Sequence, residues 1–183
     1  MTMQSETTAG PASTTGTAGP EHADLLQTLA KHRFFLTFTA RDLTDEQAGR
    51  TPTASRLSIG GLIKHVAATE RGWLAFAQRG AAAMPGADDV DYAEREREFA
   101  LQPGETLDGV LAEYQEVAAA TTAFLSAGPD LATSHPLPEA PWFEPGANWS
   151  VRRVMLHLIA ETAQHAGHAD ILRETLDGAR SMG

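Results

Sequence analysis

Apolar residues recur at helical spacing in four stretches of the chain: residues 21–43, 58–78, 105–127 and 151–177. Ser58 and Ser150 stand where helix N-caps are expected, and Gly178 stands where the last helix should end. Two long connections, residues 80–104 and 128–148, are rich in Gly, Pro and Asp, and the second holds five prolines. No strand pattern and no internal repeat is visible. The sequence therefore predicts an all-α four-helix bundle with two long connections.

The same pattern divides the chain into a domain and two tails. Residues 1–20 are almost entirely Thr, Ser, Ala, Gly and Pro, which predicts a disordered N-terminal tail. Residues 21–178 form the bundle, and residues 179–183 form a short C-terminal tail. Residues 44–47 predict a short capped turn. Residues 92–99, where Glu and Arg alternate, predict a helical piece with a solvated face.

The helical spacing also predicts which side chains face the core. The inward positions are Leu25, Leu29, Phe35, Leu36 and Thr39 in the first helix, and Leu107, Val110, Leu111, Tyr114, Val117 and Phe124 in the third.

Composition narrows the classes of function. The net charge is −10 and no basic stripe exists, so nucleic acid is not an expected partner. No run of 18 apolar residues is present and no signal-peptide pattern opens the chain, so we expect no membrane association and a cytoplasmic location. The chain has no cysteine, which excludes disulfides and a thiolate zinc site.

The last helix carries a polar stripe on a face that should point into the core. At about 100° per residue, Glu161 lies roughly 40° from His157, His165 roughly 80° and His168 roughly 20°. Burying these titratable groups costs several kcal/mol unless something compensates them, and a metal ion would do so. The helix alone offers too few ligands. His65, on the second helix, is the best third candidate.

The spacing excludes two familiar metal motifs. His-Glu-x-x-His is absent, and Glu-x-x-His does not occur on two helices as in di-iron bundles. What remains is a single-ion site of His65, Glu161 and His165 with open positions. The competing interpretations are an ordinary core histidine at position 65 and a surface Glu–His pair on the last helix. His168 is the catalytic candidate, as a further ligand, an outer-shell donor or a proton shuttle, while His157 is assigned a structural role.

Two segments resemble the DinB-like superfamily of metal-binding four-helix bundles. They are residues 57–66 with Trp73, and residues 149–152 with residues 157–170. The resemblance covers about residues 21–178 and implies His65, Glu161 and His165 as ligands of a divalent metal, commonly zinc, with nickel as an alternative. Many members carry His where this chain has Glu161. The His-Glu-His version is similar to the metal-binding domain of mycothiol-dependent maleylpyruvate isomerase and to an actinobacterial branch of single-domain relatives.

This resemblance implies a function. We expect a metal-dependent S-transferase that joins a mycothiol-type low-molecular-weight thiol to small electrophiles, as in detoxification. The alternatives are a metal-dependent hydrolase of a small molecule, and a non-catalytic, metal-stabilised bundle for binding or stress response. The oligomeric state is open, with a homodimer as one alternative.

Overall fold

The four long helices and one short helix confirm the predicted all-α bundle. The computed structural model describes residues 17–84 and 97–182, so the predicted disorder of residues 1–16 and the helical piece at residues 92–96 lie outside the described residues. The described helices are α1 Pro20–Phe38, α2 Asp45–Gly49, α3 Ile59–Arg79, α4 Leu107–Ser126 and α5 Val151–Asp177. A 3-10 helix, Gly80–Ala83, follows α3 directly. In this part of the chain no helix is both long and apolar enough to cross a membrane.

Side-chain caps begin the helices where the sequence predicted them. The Ser58 hydroxyl accepts a hydrogen bond from the backbone N–H of Gly61, and Ser150 does the same for Arg153. These bonds satisfy backbone donors that have no partner inside a helix. Thr44 caps α2, the predicted short turn, and α5 ends at Gly178 in a left-handed conformation with φ 79°. The helix boundaries therefore follow from local chemistry.

Helix α1 packs against α5, and α3 packs against both α4 and α5. Their buried faces form two apolar clusters, one at each end of the bundle. Leu36, Ile63 and Leu172 belong to the first, and Phe76 and Met155 to the second. Among the predicted inward positions, Phe35, Leu111 and Phe124 are only partly buried and lie at the edges of these clusters.

A charged pair that the sequence did not predict lies between the two clusters. Arg33 of α1 donates from Nε to the Glu70 carboxylate of α3 at 3.2 Å, and Nη2 donates to its other oxygen. Thr121 of α4 donates to the same carboxylate at 2.6 Å. Glu70 is fully buried and Arg33 nearly so. Arg33, Glu70 and Thr121 thus link α1, α3 and α4 through hydrogen bonds that are buried away from water.

A small sheet corrects the prediction that the chain has no strand. Ser134–Pro136 pairs antiparallel with Asn148–Ser150, with His135 opposite Trp149. Strands of three residues are too short to show alternation in the sequence, which is why the pattern did not reveal them. The ladder closes the proline-rich connection and places Trp149 directly before the first turn of α5.

Candidate metal centre

The bundle brings together the three residues that the sequence predicted as ligands. One ring nitrogen each of His65 and His165 and one carboxylate oxygen of Glu161 lie within 4.8 Å of one another. His65 comes from α3, whereas Glu161 and His165 are one turn apart on α5. The distance from His165 Nε2 to Glu161 Oε2 is 3.5 Å. Two packed helices therefore point three donor atoms at one small volume.

This donor set fits a divalent metal ion. Bonds of about 2.1 Å in tetrahedral geometry place neighbouring donor atoms about 3.4 Å apart, close to the observed Nε2–Oε2 distance. His65 and His165 are 7% and 9% exposed, whereas the Glu161 side chain is 29% exposed. The histidines thus form the closed side of the site, and the carboxylate borders its open side.

The surroundings keep His165 neutral, as a metal ligand must be. Burial lowers the pKa of His165, and the neighbouring His65 lowers it further, while Glu161 acts in the opposite direction. The rings of His65 and His165 meet edge to face with centroids 5.0 Å apart. Near neutral pH a lone pair is therefore available on the His165 ring.

His168 lies beside the three donors, not among them. Its Nδ1 is 3.4 Å from Nδ1 of His165, on the side of that ring away from Glu161. Between two neutral imidazoles, one ring donates the N–H and the other accepts it. His168 is therefore within hydrogen-bond distance of a predicted ligand, and its role stays a prediction.

His157 lies between Glu161 and the aromatic rings of Trp73 and Trp149. Its Nε2 is 4.0 Å from Glu161 Oε1, and its ring contacts Trp73 and Trp149 edge-on at centroid distances of 4.9 and 5.1 Å. The two indoles stack on each other at 4.5 Å. Burial lowers the pKa of His157 despite the nearby Glu161 carboxylate. His157 therefore contacts both the acidic donor and the two indoles, and its structural role stays a prediction.

Residues 97–101, which include the C-terminal end of the segment predicted to carry a solvated face, pack on the first turns of α3. The Phe99 ring stacks on His65 with centroids 4.1 Å apart, and Glu98 Oε2 lies 3.4 Å from His65 Nδ1. A Cβ at Gly61 would come within 1.8 Å of the Phe99 carbonyl oxygen, and one at Gly60 within 2.9 Å of Leu101. Sequence reasoning missed Glu98 and Phe99. The two glycines in the first turn of α3 were the signal that another segment lies there.

Comparison with known proteins agrees with the fold. No curated protein shows significant similarity to the chain. A crystal structure of a conserved protein from Enterococcus faecalis superposes with a TM-score of 0.65 at 14% identity, covering 86% of this chain and 97% of that one; this likeness shows the fold. Residues 24–178 match the sequence profile of the family described as mycothiol-S-transferase. The expected DinB-like resemblance is thereby confirmed, and the chain belongs to the mycothiol S-transferase family.

Proposed function

We propose that this protein is a metal-dependent S-transferase that joins a low-molecular-weight thiol of the mycothiol type to small electrophiles. The observation that carries the proposal is the convergence of His65, Glu161 and His165 within 4.8 Å in a chain of this family. Zinc is the proposed metal, with nickel as the alternative.

The chemistry follows from the donor set. Two neutral imidazoles and one carboxylate leave a divalent ion with one net positive charge. Such an ion, when bound, lowers the pKa of a coordinated thiol so that thiolate is present near neutral pH. The chain has no cysteine, so the sulfur comes from the thiol substrate. In a substitution, the sulfur forms a bond to the electrophilic carbon, the leaving group departs with the electron pair of the broken bond, and the thiol proton passes to water.

We assign His168 to positioning. Its contact with Nδ1 of His165 leaves Nε2 of that ring directed toward Glu161, which supports a role through the ligand. If this assignment is right, His168→Ala lowers turnover more than it lowers metal content. Equal losses of metal in His168→Ala and His165→Ala would instead make His168 a ligand.

The first test is metal content. Protein purified without chelators or a metal-binding tag is analysed alongside His65→Ala, His165→Ala and the control His32→Ala on α1, outside the donor group. We expect about one equivalent of metal in the parent and the control and little in the two site variants. Equal metal in all four proteins, or none in the parent after reconstitution with zinc, refutes the site.

The second test is turnover. Mycothiol and 1-chloro-2,4-dinitrobenzene report thioether formation by absorbance, with metal-stripped protein and thiol-free mixtures as controls. We expect product only when protein, metal and thiol are all present. Hydrolysis of p-nitrophenyl acetate that needs the metal but no thiol would favour the hydrolase. Metal binding without either activity would favour the non-catalytic bundle.

A further inference from the structure

Both histidines of the donor group turn Nδ1 toward a neighbouring side chain. For His165 the neighbour is His168, and for His65 it is Glu98, whose Oε2 lies 3.4 Å from Nδ1. We propose that Glu98 is a positioning residue that accepts the Nδ1–H of His65 and so leaves the Nε2 lone pair free for the metal. This inference rests on the proposed metal centre.

The argument begins with the imidazole ring. A neutral ring has one N–H and one lone pair, and an ionised carboxylate can only accept. Glu98 beside Nδ1 therefore favours the tautomer with hydrogen on Nδ1 and the lone pair on Nε2. Carboxylates that pair with ligand histidines in this way fix the ring orientation and raise the basicity of the ligand. The Glu98 side chain is 32% exposed and that of His65 only 8%, so water reaches the carboxylate while the ring stays enclosed.

The packing of residues 97–101 holds Glu98 in place. Phe99 stacks on the same His65 ring, and its carbonyl accepts a hydrogen bond from the Ser58 hydroxyl at 3.4 Å. On the other side of Glu98, Lys64 donates to the Arg97 carbonyl at 3.5 Å. Lys64 also pairs with Glu105 at 2.7 Å. Backbone contacts on both sides thus fix the position from which the carboxylate reaches the ring.

The first test measures the tautomer directly. Long-range ¹H–¹⁵N spectra of metal-free protein distinguish Nδ1–H from Nε2–H rings, and His65→Gln identifies the His65 signals. We expect Nδ1–H in the parent and in Glu116→Ala, a control that removes an exposed glutamate from α4. Glu98→Ala should shift His65 toward the Nε2–H form. An unchanged tautomer in Glu98→Ala overturns the proposal.

The second test measures zinc affinity by competition with a chromogenic chelator. We expect the dissociation constant to rise about 10- to 100-fold in Glu98→Ala. A smaller rise is expected in Glu98→Gln, whose amide oxygen still accepts. Unchanged affinity in Glu98→Ala overturns the positioning role even if the tautomer shifts. The tautomer measurement needs no metal, so a parent that binds no zinc defeats the proposed function while the spectra still decide whether Glu98 sets the His65 ring.

Discussion

Replacing Gly61 by Ala tests whether residues 97–101 are packed against α3 as described. The new Cβ would lie 1.8 Å from the Phe99 carbonyl oxygen and 2.2 Å from its carbon. Both are backbone atoms, so no change of rotamer relieves the clash. Either α3 or residues 97–101 must move by about 1.5 Å to restore van der Waals contact. The movement carries Glu98 and Phe99 away from His65.

Two opposing effects determine how much Gly61→Ala changes the free energy of unfolding. Ala in place of Gly favours the helix by up to about 1 kcal/mol. Displacing residues 97–101 loses part of the burial of Phe99 and Leu101, and complete burial of each side chain contributes about 1.5–3 kcal/mol. It also breaks the hydrogen bond from Ser58 to the Phe99 carbonyl, which contributes about 1 kcal/mol. The sum of these losses is about 2–4 kcal/mol. We therefore expect Gly61→Ala to lower the free energy of unfolding by about 1–3 kcal/mol.

Gly72 of the same helix is the matched control, because nothing lies within 4 Å of the Cβ that Ala would add there. Gly72→Ala should raise the free energy of unfolding by up to about 1 kcal/mol and leave zinc affinity unchanged. Urea unfolding of metal-free protein and chelator competition measure the two quantities. Equal stabilisation by both substitutions would show that residues 97–101 do not pack against the first turn of α3.

Three further substitutions or conditions test the core and the site. Glu70→Ala should lower the free energy of unfolding, measured in urea, by about 3–5 kcal/mol because it leaves Arg33 buried without its partner. Replacing Glu70 by Leu and Arg33 by Met together should recover most of this loss. A cost below about 1 kcal/mol for Glu70→Ala contradicts the pairing. Burial lowers the folded-state pKa of His157 and His165 below 6.5, so the unfolded chain binds more protons. Metal-free protein should therefore lose stability as pH falls from 7.5 through 6.5 to 5.5, and a gain would refute the burial argument. Glu161→His should retain metal while Glu161→Ala loses it, as elemental analysis would show; loss in both means that this position requires a carboxylate.

Most of the features that the sequence predicted depend on contacts between residues close together in the chain. The caps at Ser58 and Ser150 depend on contacts within three residues, and Glu161 and His165 share a face because they are one turn apart. Such features depend little on the rest of the fold. His65 is different, because it meets the others only after α3 packs on α5, and the family resemblance was needed to choose it.

The features that the sequence did not predict all depend on distant contacts. Arg33 and Glu70 belong to residue types that are usually exposed, and only their mutual pairing makes burial tolerable. Glu98 ends a run of alternating charges that is typical of a solvated surface, and its partner His65 is 33 residues away. A glycine such as Gly61 normally lowers helix stability, and its position in α3 is explained only by the backbone of Phe99 that packs against it.

The stacked indoles of Trp73 and Trp149 give the protein an optical probe of its own. Rings held 4.5 Å apart at 14° couple electronically, so we expect a paired signal in near-ultraviolet circular dichroism. Trp142, the remaining tryptophan, is 49% exposed and should emit at longer wavelength than the less exposed stacked pair. Because His157 contacts both indoles and approaches Glu161, occupation of the neighbouring site should alter the fluorescence of the pair. Metal or substrate binding can then be followed without attaching a label.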